Sequence, residues 1–249
     1  MRTSNPALNS KIFASLAPSS DAMTIQGTVN KTGLLLLLVL LSATWIWSRF
    51  FGALEPSQSL PGIAPWMFGG AIGGFVVALV TIFKKSWAGV TGPIYALLEG
   101  LFLGGISAIF EARYPGIVIQ AVSLTFGTLL VLLVAYTSRV IRPSENFKLG
   151  IVAATGGIAL VYVASFVLGL FGVSMPYIHG NGLIGIGFSL FVVVIAALNL
   201  VLDFDFIENG ASQGAPKYME WYAAFGLMVT LIWLYIEILR LLAKLRSRN

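Results

Sequence analysis

The sequence predicts an all-α, polytopic membrane protein built as a seven-transmembrane helix bundle. Of its 249 residues, 57% are hydrophobic and 10% are charged, whereas a soluble domain carries about 25% charged residues. A helix needs ~20 mostly apolar residues to cross the ~30 Å hydrocarbon layer of a bilayer. Three stretches without Asp, Glu, Lys or Arg exceed that length: residues 56–83, 114–138 and 149–202. With no cysteine, these features exclude a soluble enzyme, a disulfide-stapled secreted domain and a disordered chain.

The chain begins with a polar N-terminal tail, residues 1–31, which is rich in Ser, Asn and Thr. This tail lacks a short apolar core followed by a small-residue cleavage site, so we expect it to be retained. A seven-span membrane domain is predicted over residues 32–243, followed by a basic C-terminal tail over residues 244–249.

Each span is predicted as a helix because its run is continuously apolar, whereas the strands of a membrane barrel alternate. The longest charge-free run contains two spans, since residues 175–182 read Met-Pro-Tyr-Ile-His-Gly-Asn-Gly and favour a turn. In chain order, the predicted spans cover approximately residues 32–51, 64–83, 88–110, 116–138, 148–172, 182–204 and 219–243.

Glycines on the second and third spans predict close contacts between helices. They recur at four-residue spacing and comprise Gly69, Gly70, Gly73, Gly74, Gly100 and Gly104. Small residues let helix backbones approach closely, which favours helix association in lipid. We expect these glycines to pack the bundle internally, and a dimer interface is the alternative.

The distribution of Lys and Arg predicts a cytoplasmic N-terminus, because cytoplasmic loops carry an excess of these residues. With seven crossings, the loops on the far side hold only Arg49 and Arg113. The N-terminal side holds nine basic residues: Arg2, Lys11, Lys31, Lys84, Lys85, Arg139, Arg142, Lys148 and Lys217. The basic C-terminal end opposes this assignment, and the alternative is a last segment that re-enters the membrane without crossing it.

Acidic residues inside the spans are the candidate functional residues. An ionised residue at mid-membrane costs ~2.5–3.5 kcal/mol on insertion scales, so such residues usually face a cavity or a partner. Glu99 lies near the middle of the third span, Asp203 where the sixth ends, and Glu237 in the second half of the seventh. Asp205 and Glu208 are expected to be interfacial residues that lead into a polar loop over residues 209–214.

Each of these acids also has a purely structural interpretation. Asp203 can be a helix-end acid hydrated among the lipid headgroups, and Glu99 can be neutral and hydrogen-bonded to a neighbouring helix. Glu237 can pair with Arg240, since residues three apart share a helix face. Because each helical residue turns ~100°, Asp203 and Asp205 should point to nearly opposite sides.

The available side chains favour cation or proton handling over catalysis. Carboxylate oxygens bind Ca²⁺, and protons compete for the same oxygens. The chain has one histidine, His179, which is expected to be a solvated loop residue, and no nucleophile elbow or phosphate-binding loop. We therefore expect no enzymatic activity, no resident metal or cofactor, and no binding of nucleic acid, because the basic residues sit in loops and tails.

Three short motifs resemble the Bax inhibitor-1 (transmembrane Bax inhibitor motif) family. They are Glu99-Gly100 on the third span, Leu-Asn-Leu-Val-Leu-Asp at residues 198–203, and Tyr-Ile-Glu-Ile-Leu-Arg-Leu-Leu at residues 235–242. The polar tail looks like that of a bacterial branch. The resemblance implies a central last helix ringed by six others and a pH-sensitive calcium leak. It also implies an acidic pair between spans six and seven that helps to close the pore.

Asp203 matches the first acid of that pair, but the place of the second acid falls on Thr230. A threonine can donate a hydrogen bond to a carboxylate but cannot share a proton between two acids. The pair is therefore altered here, absent, or rebuilt with Glu99, Glu220 or Glu237.

The leading hypothesis is a pH-sensitive calcium leak channel in a bacterial plasma membrane. Asp203 would be its gate acid, Thr230 the gate partner, and Glu99 and Glu237 secondary acids along the path. The lipid bilayer and Ca²⁺ or other cations would be its partners. The alternative is a non-conducting interaction protein that uses its polar tail to modulate a membrane protease or a stress response. A proton-coupled transporter ranks third, because no inverted repeat is evident.

Overall fold

The structure is a computed structural model that describes residues 22–52, 56–172, 180 and 182–248. Over these residues the chain is helical, with one isolated bridge between Ala22 and Pro216. Most of the predicted N-terminal tail and the predicted turn that holds His179 lie outside the described residues.

Seven helices in the described part of the chain are long and apolar enough to cross a membrane, which confirms the predicted fold class. A 3₁₀ turn over Lys85–Trp87 precedes the third helix. In chain order the helices are α1 (Ile25–Phe51), α2 (Pro56–Phe83), α3 (Ala88–Arg113), α4 (Ile117–Thr137), α5 (Glu145–Leu170), α6 (Leu183–Ser212) and α7 (Met219–Arg246).

The first helix begins seven residues before the predicted start of its span. Thr24 is its N-cap, and the Thr24 side chain accepts a hydrogen bond of 2.9 Å from the backbone N–H of Gly27. Such a cap satisfies one of the backbone donors that a helix start leaves open. The hydropathy pattern marks only the apolar part of the span, so the capped polar turns before it were missed.

The sixth helix runs eight residues beyond the predicted end of its span. It continues through Asp205 and Glu208 to Ser212, so the expected polar loop over residues 209–214 is wrong for residues 209–212. The chain turns at Gly214, whose φ of 66° lies in the left-handed region that glycine adopts without steric cost. The predicted span stopped where the charged residues begin. Charged residues nevertheless continue a helix when their side chains form ion pairs or hydrogen bonds.

The described residues cluster into two compact units. The α1–α3 unit comprises residues 22–115 and 207–228, and the α4–α5 unit comprises residues 116–206 and 229–248. Both α6 and α7 contribute residues to each unit.

Glycines bring the helices of the α1–α3 unit into close contact. A Cβ atom added to Gly104 of α3 would lie 2.6 Å from the Cα atom of Ala43 on α1. Gly70 of α2 faces the backbone carbonyl of Leu98 on α3 in the same way. A side chain at either position would collide with backbone, so Gly70 and Gly104 pack the bundle internally, as predicted. The prediction does not hold for Gly69, because a Cβ atom added there meets no described atom within 4 Å.

The core of the α4–α5 unit joins α5 and α6. Ile158, Val192 and Ile195 form a buried cluster, against which Trp233 of α7 packs. Asn199 of α6 is 2% exposed and donates a hydrogen bond of 2.9 Å to Thr155 on α5. The polar Asn199 is thus satisfied within the bundle, as a buried amide must be.

The last helix is the most buried of the seven. Of an 18-residue stretch of α7, 61% of the residues are buried, against 44% or fewer in the corresponding stretches of the other helices.

Large apolar side chains cover the outer surfaces of several helices. On α2 they recur every three or four residues and include Phe68, Ile72, Phe75, Leu79 and Phe83. In water such a stripe would be an aggregation hazard, whereas in a bilayer it contacts lipid. The protein is therefore an integral membrane protein.

Candidate functional site

Asp203 is a fully buried carboxylic acid within the α4–α5 unit. Its exposed fraction is 0%, and its neighbours along α6, Leu202 and Phe204, are also buried. The helix continues for nine residues beyond it. The expectation that Asp203 stands at a helix end is therefore wrong, and hydration among lipid headgroups does not explain this acid.

Thr230 of α7, the predicted partner of Asp203, belongs to the same unit. It is 3% exposed. The hydroxyl and the carboxyl are thus both removed from solvent, as a gate inside a bundle requires. The gate role of either residue stays a prediction.

Glu237 is held in a three-residue polar cluster that joins α5 and α7. The Tyr162 hydroxyl donates a hydrogen bond of 2.9 Å to Glu237 Oε1. Arg240 donates to both carboxylate oxygens, at 2.8 and 3.0 Å, and to the Tyr162 oxygen at 2.9 Å. Glu237 is 1% exposed, and the guanidinium group of Arg240 compensates its charge. This pairing is the one that the structural interpretation of Glu237 expects.

Asp205 and Glu208 lie on the continuous helix α6 and do not lead directly into a loop. The Asp205 side chain is 15% exposed, and its Oδ2 lies 2.7 Å from Lys148 Nζ on α5. Glu145, in the first turn of α5, approaches the same ammonium group at 3.2 Å. Asp205 is therefore part of an ion-pair network, which the sequence analysis did not predict.

Glu99 lies in the α1–α3 unit, where α3 packs against α2. A Cβ atom added to Gly74 would lie 2.8 Å from Glu99 Oε2, so the carboxyl group rests against the glycine backbone of α2. Its burial is intermediate. The glycine pattern of α2 thus leaves room for the acid of α3.

Glu220, which the sequence suggested only as a replacement acid, is a buried carboxylate that joins the start of α1 to the start of α7. It is 0% exposed and lies in the first turn of α7. The Thr24 amide and hydroxyl donate to Glu220 Oε1 at 2.8 and 2.9 Å. Lys217 Nζ lies 3.0 Å from Oε1, and Lys31 forms an ion pair with Oε2. The one signal in the sequence was the Lys217–Glu220 spacing, because Thr24 and Lys31 are distant along the chain.

Within the described ranges, no three acidic or histidine side chains converge as they would in a metal site. The acids instead occupy separate settings: an ion pair for Glu237, a lysine partner for Asp205, a helix junction for Glu220 and full burial for Asp203.

Comparison with known protein families supports the family resemblance that the sequence motifs indicated. A family model described as "Bax inhibitor 1 like" matches residues 5–247, nearly the whole chain. Comparisons with curated proteins and with solved structures give no match. The match extends over all seven apolar helices and over every acid described above. The chain belongs to the Bax inhibitor 1-like family.

Proposed function

We propose that the protein is a pH-sensitive leak channel for Ca²⁺ and that Asp203 is its gate acid. The burial of Asp203 within the apolar helix α6 is the observation that carries this proposal. An ionisable residue inside an apolar span is costly, and such residues usually mark an ion or proton pathway. The protein would act without enzymatic chemistry and without a resident cofactor, and Ca²⁺ would be the permeant ion.

Protonation of Asp203 would set the state of the gate. The neutral acid is compatible with an apolar interior, whereas the ionised form favours water and cations near it. Thr230 would donate a hydrogen bond to the ionised carboxylate, but its hydroxyl cannot share a proton with Asp203 as a second acid would. The pH dependence of the leak should therefore follow the titration of one proton, not of a coupled pair of acids.

The remaining acids would have secondary roles. Glu99 would line the path in the α1–α3 unit, where the glycines of α2 leave space for its carboxyl group. Glu237 would position α5 against α7, because Arg240 and Tyr162 already occupy its oxygens. The excess of basic residues on one side supports a cytoplasmic N-terminus. The resemblance of the tail to a bacterial branch of the family supports a bacterial plasma membrane location.

Calcium flux into proteoliposomes tests the proposal. Purified protein would be reconstituted and the flux measured with an enclosed indicator between about pH 5 and pH 8. We expect protein-dependent flux that varies with pH, and Asp203→Asn should remove the variation because its amide does not titrate. Glu111→Gln neutralises an acid at the end of α3 and should leave the profile unchanged. Unchanged flux in Asp203→Asn at every pH would remove Asp203 from the mechanism.

The second candidate is a non-conducting interaction protein that modulates a membrane protease or a stress response. One observation favours it: the chain is anchored at residues 23 and 24, within the predicted tail. The Met23 amide donates to the Ala215 carbonyl at 2.7 Å, and Thr24 binds Glu220. This anchoring fixes Met23 and Thr24 beside the α6–α7 connection.

Deleting residues 2–21 tests this second function without disturbing the anchor or the cap of α1. Loss of partner capture with intact calcium flux would assign the tail to protein interaction. Absence of flux from correctly inserted wild-type protein, with partner capture present, would favour this candidate over the leak channel.

A further inference from the structure

We propose that Lys148 is a built-in counter-cation that occupies the carboxylate of Asp205 and keeps divalent cations away from it. The inference deepens the proposed leak function, since it names a residue that would set how strongly the path holds Ca²⁺. It rests on a different set of contacts from those that support Asp203.

The ammonium group of Lys148 lies between two carboxylates from different helices. Its Nζ atom is 2.7 Å from Asp205 Oδ2 on α6 and 3.2 Å from Glu145 Oε1 on α5. Ca²⁺ binds carboxylate oxygens at ~2.3–2.6 Å. The ammonium group therefore occupies the space next to both acids that a divalent cation would need.

Burial makes this arrangement unusual for a lysine. Lys148 is 3% exposed, although lysine is almost never fully buried unless it is paired. Its two partners differ, since the side chain of Asp205 is 15% exposed and that of Glu145 is 65% exposed. Asp205 is thus the more shielded of the two acids, whereas water can solvate Glu145.

The charge balance predicts what removal of the lysine would do. Two carboxylates and one ammonium carry a net charge of −1, and a neutral residue at position 148 would leave −2 at the same place. A divalent cation could then replace the ammonium group with full neutralisation. In the wild-type protein it would have to displace a cation that is covalently attached to the chain.

A purely structural role is the alternative, in which Lys148 simply clamps α5 to α6. The two roles differ in their response to conservative changes. Lys148→Arg keeps the positive charge, whereas Lys148→Met removes the charge and keeps the apolar stem. Lys148→Gln removes the charge but retains a hydrogen-bond donor for Asp205.

Isothermal titration calorimetry of Ca²⁺ binding tests the inference without requiring conduction. The purified full-length protein would be used in detergent. Lys148→Met and Lys148→Gln should bind Ca²⁺ at least ~10-fold more tightly than wild type, because a unit charge is removed at hydrogen-bond distance. Adding Asp205→Asn to either variant should abolish the gain, and Lys148→Arg should bind like wild type.

Binding that does not tighten, or that tightens without depending on Asp205, would overturn the inference. If neither neutral variant folds while Lys148→Arg does, the lysine is structural and the inference also fails. Flux measured on the same variants separates this result from the leak proposal. A gain in calcium binding without flux in any variant would support the role of Lys148 and reject conduction.

Discussion

Replacing Glu220 by alanine should weaken the attachment of the N-terminal end of α1 to the first turn of α7. The substitution removes the acceptor for the Thr24 amide and hydroxyl, at 2.8 and 2.9 Å. It also removes the carboxylate that faces Lys31 and Lys217. All of these groups belong to the α1–α3 unit.

The magnitude follows from the burial of each partner. Removing one member of a buried ion pair costs ~3–5 kcal/mol, because the other charge is left without compensation. Here the side chains of Lys31 and Lys217 are 19% and 44% exposed, so both ammonium groups can recover water. We therefore expect Glu220→Ala to lower the free energy of unfolding by ~3 kcal/mol, the low end of that range. Glu220→Gln should cost less, because its amide oxygen can still accept from Thr24.

Reversible unfolding in mixed micelles, followed by circular dichroism, measures the loss. Trp221 fluorescence reports the same junction locally, since Lys31 Nζ lies 5.4 Å from the centre of its ring. Glu145→Ala is the matched control, because the side chain of Glu145 is 65% exposed and its ion pair should contribute less than ~1 kcal/mol. Equal losses for Glu220→Ala and this control would refute the reasoning.

Two further substitutions test contacts within each unit. Gly104→Ala places a Cβ atom against the α1 backbone and should lower the free energy of unfolding by ~1–3 kcal/mol. Gly127→Ala is the control, because its added Cβ meets no described atom within 4 Å. It should leave the free energy of unfolding unchanged or raise it in the same assay. Similar effects at both glycines would contradict the assigned helix contact. Tyr162→Phe should cost ~1.5–3 kcal/mol through the lost hydrogen bond to Glu237, and a double-mutant cycle with Glu237→Gln should show non-additive losses. Additive losses would show that the two side chains do not act as one cluster.

The number and order of the helices could be predicted because they depend on local properties of the chain. Apolar length is read from consecutive residues, and each of the seven runs is long enough to cross a bilayer by itself. The predicted helix boundaries were less accurate where a helix continues through charged residues. At Asp205 and Glu208 the charges ended the predicted span, but the helix continued to Ser212.

The candidate acids were also visible in the sequence, because an acid within an apolar run is conspicuous. Asp203 and Glu237 were both singled out, yet their surroundings differ. Glu237 binds a tyrosine that lies 75 residues away along the chain, and only its contact with Arg240 could be anticipated from helical spacing.

Sequence alone therefore determined that this is a seven-helix membrane protein with a few acids inside its apolar spans. It could do so because the apolar length of a span depends only on consecutive residues. The tertiary structure decided which of those acids are paired. Glu220 is joined to Thr24 across 196 residues, and Asp205 to Lys148 on another helix. An ion pair or a hydrogen bond acts only over a few ångströms, so its partners become known only when folding brings distant segments together.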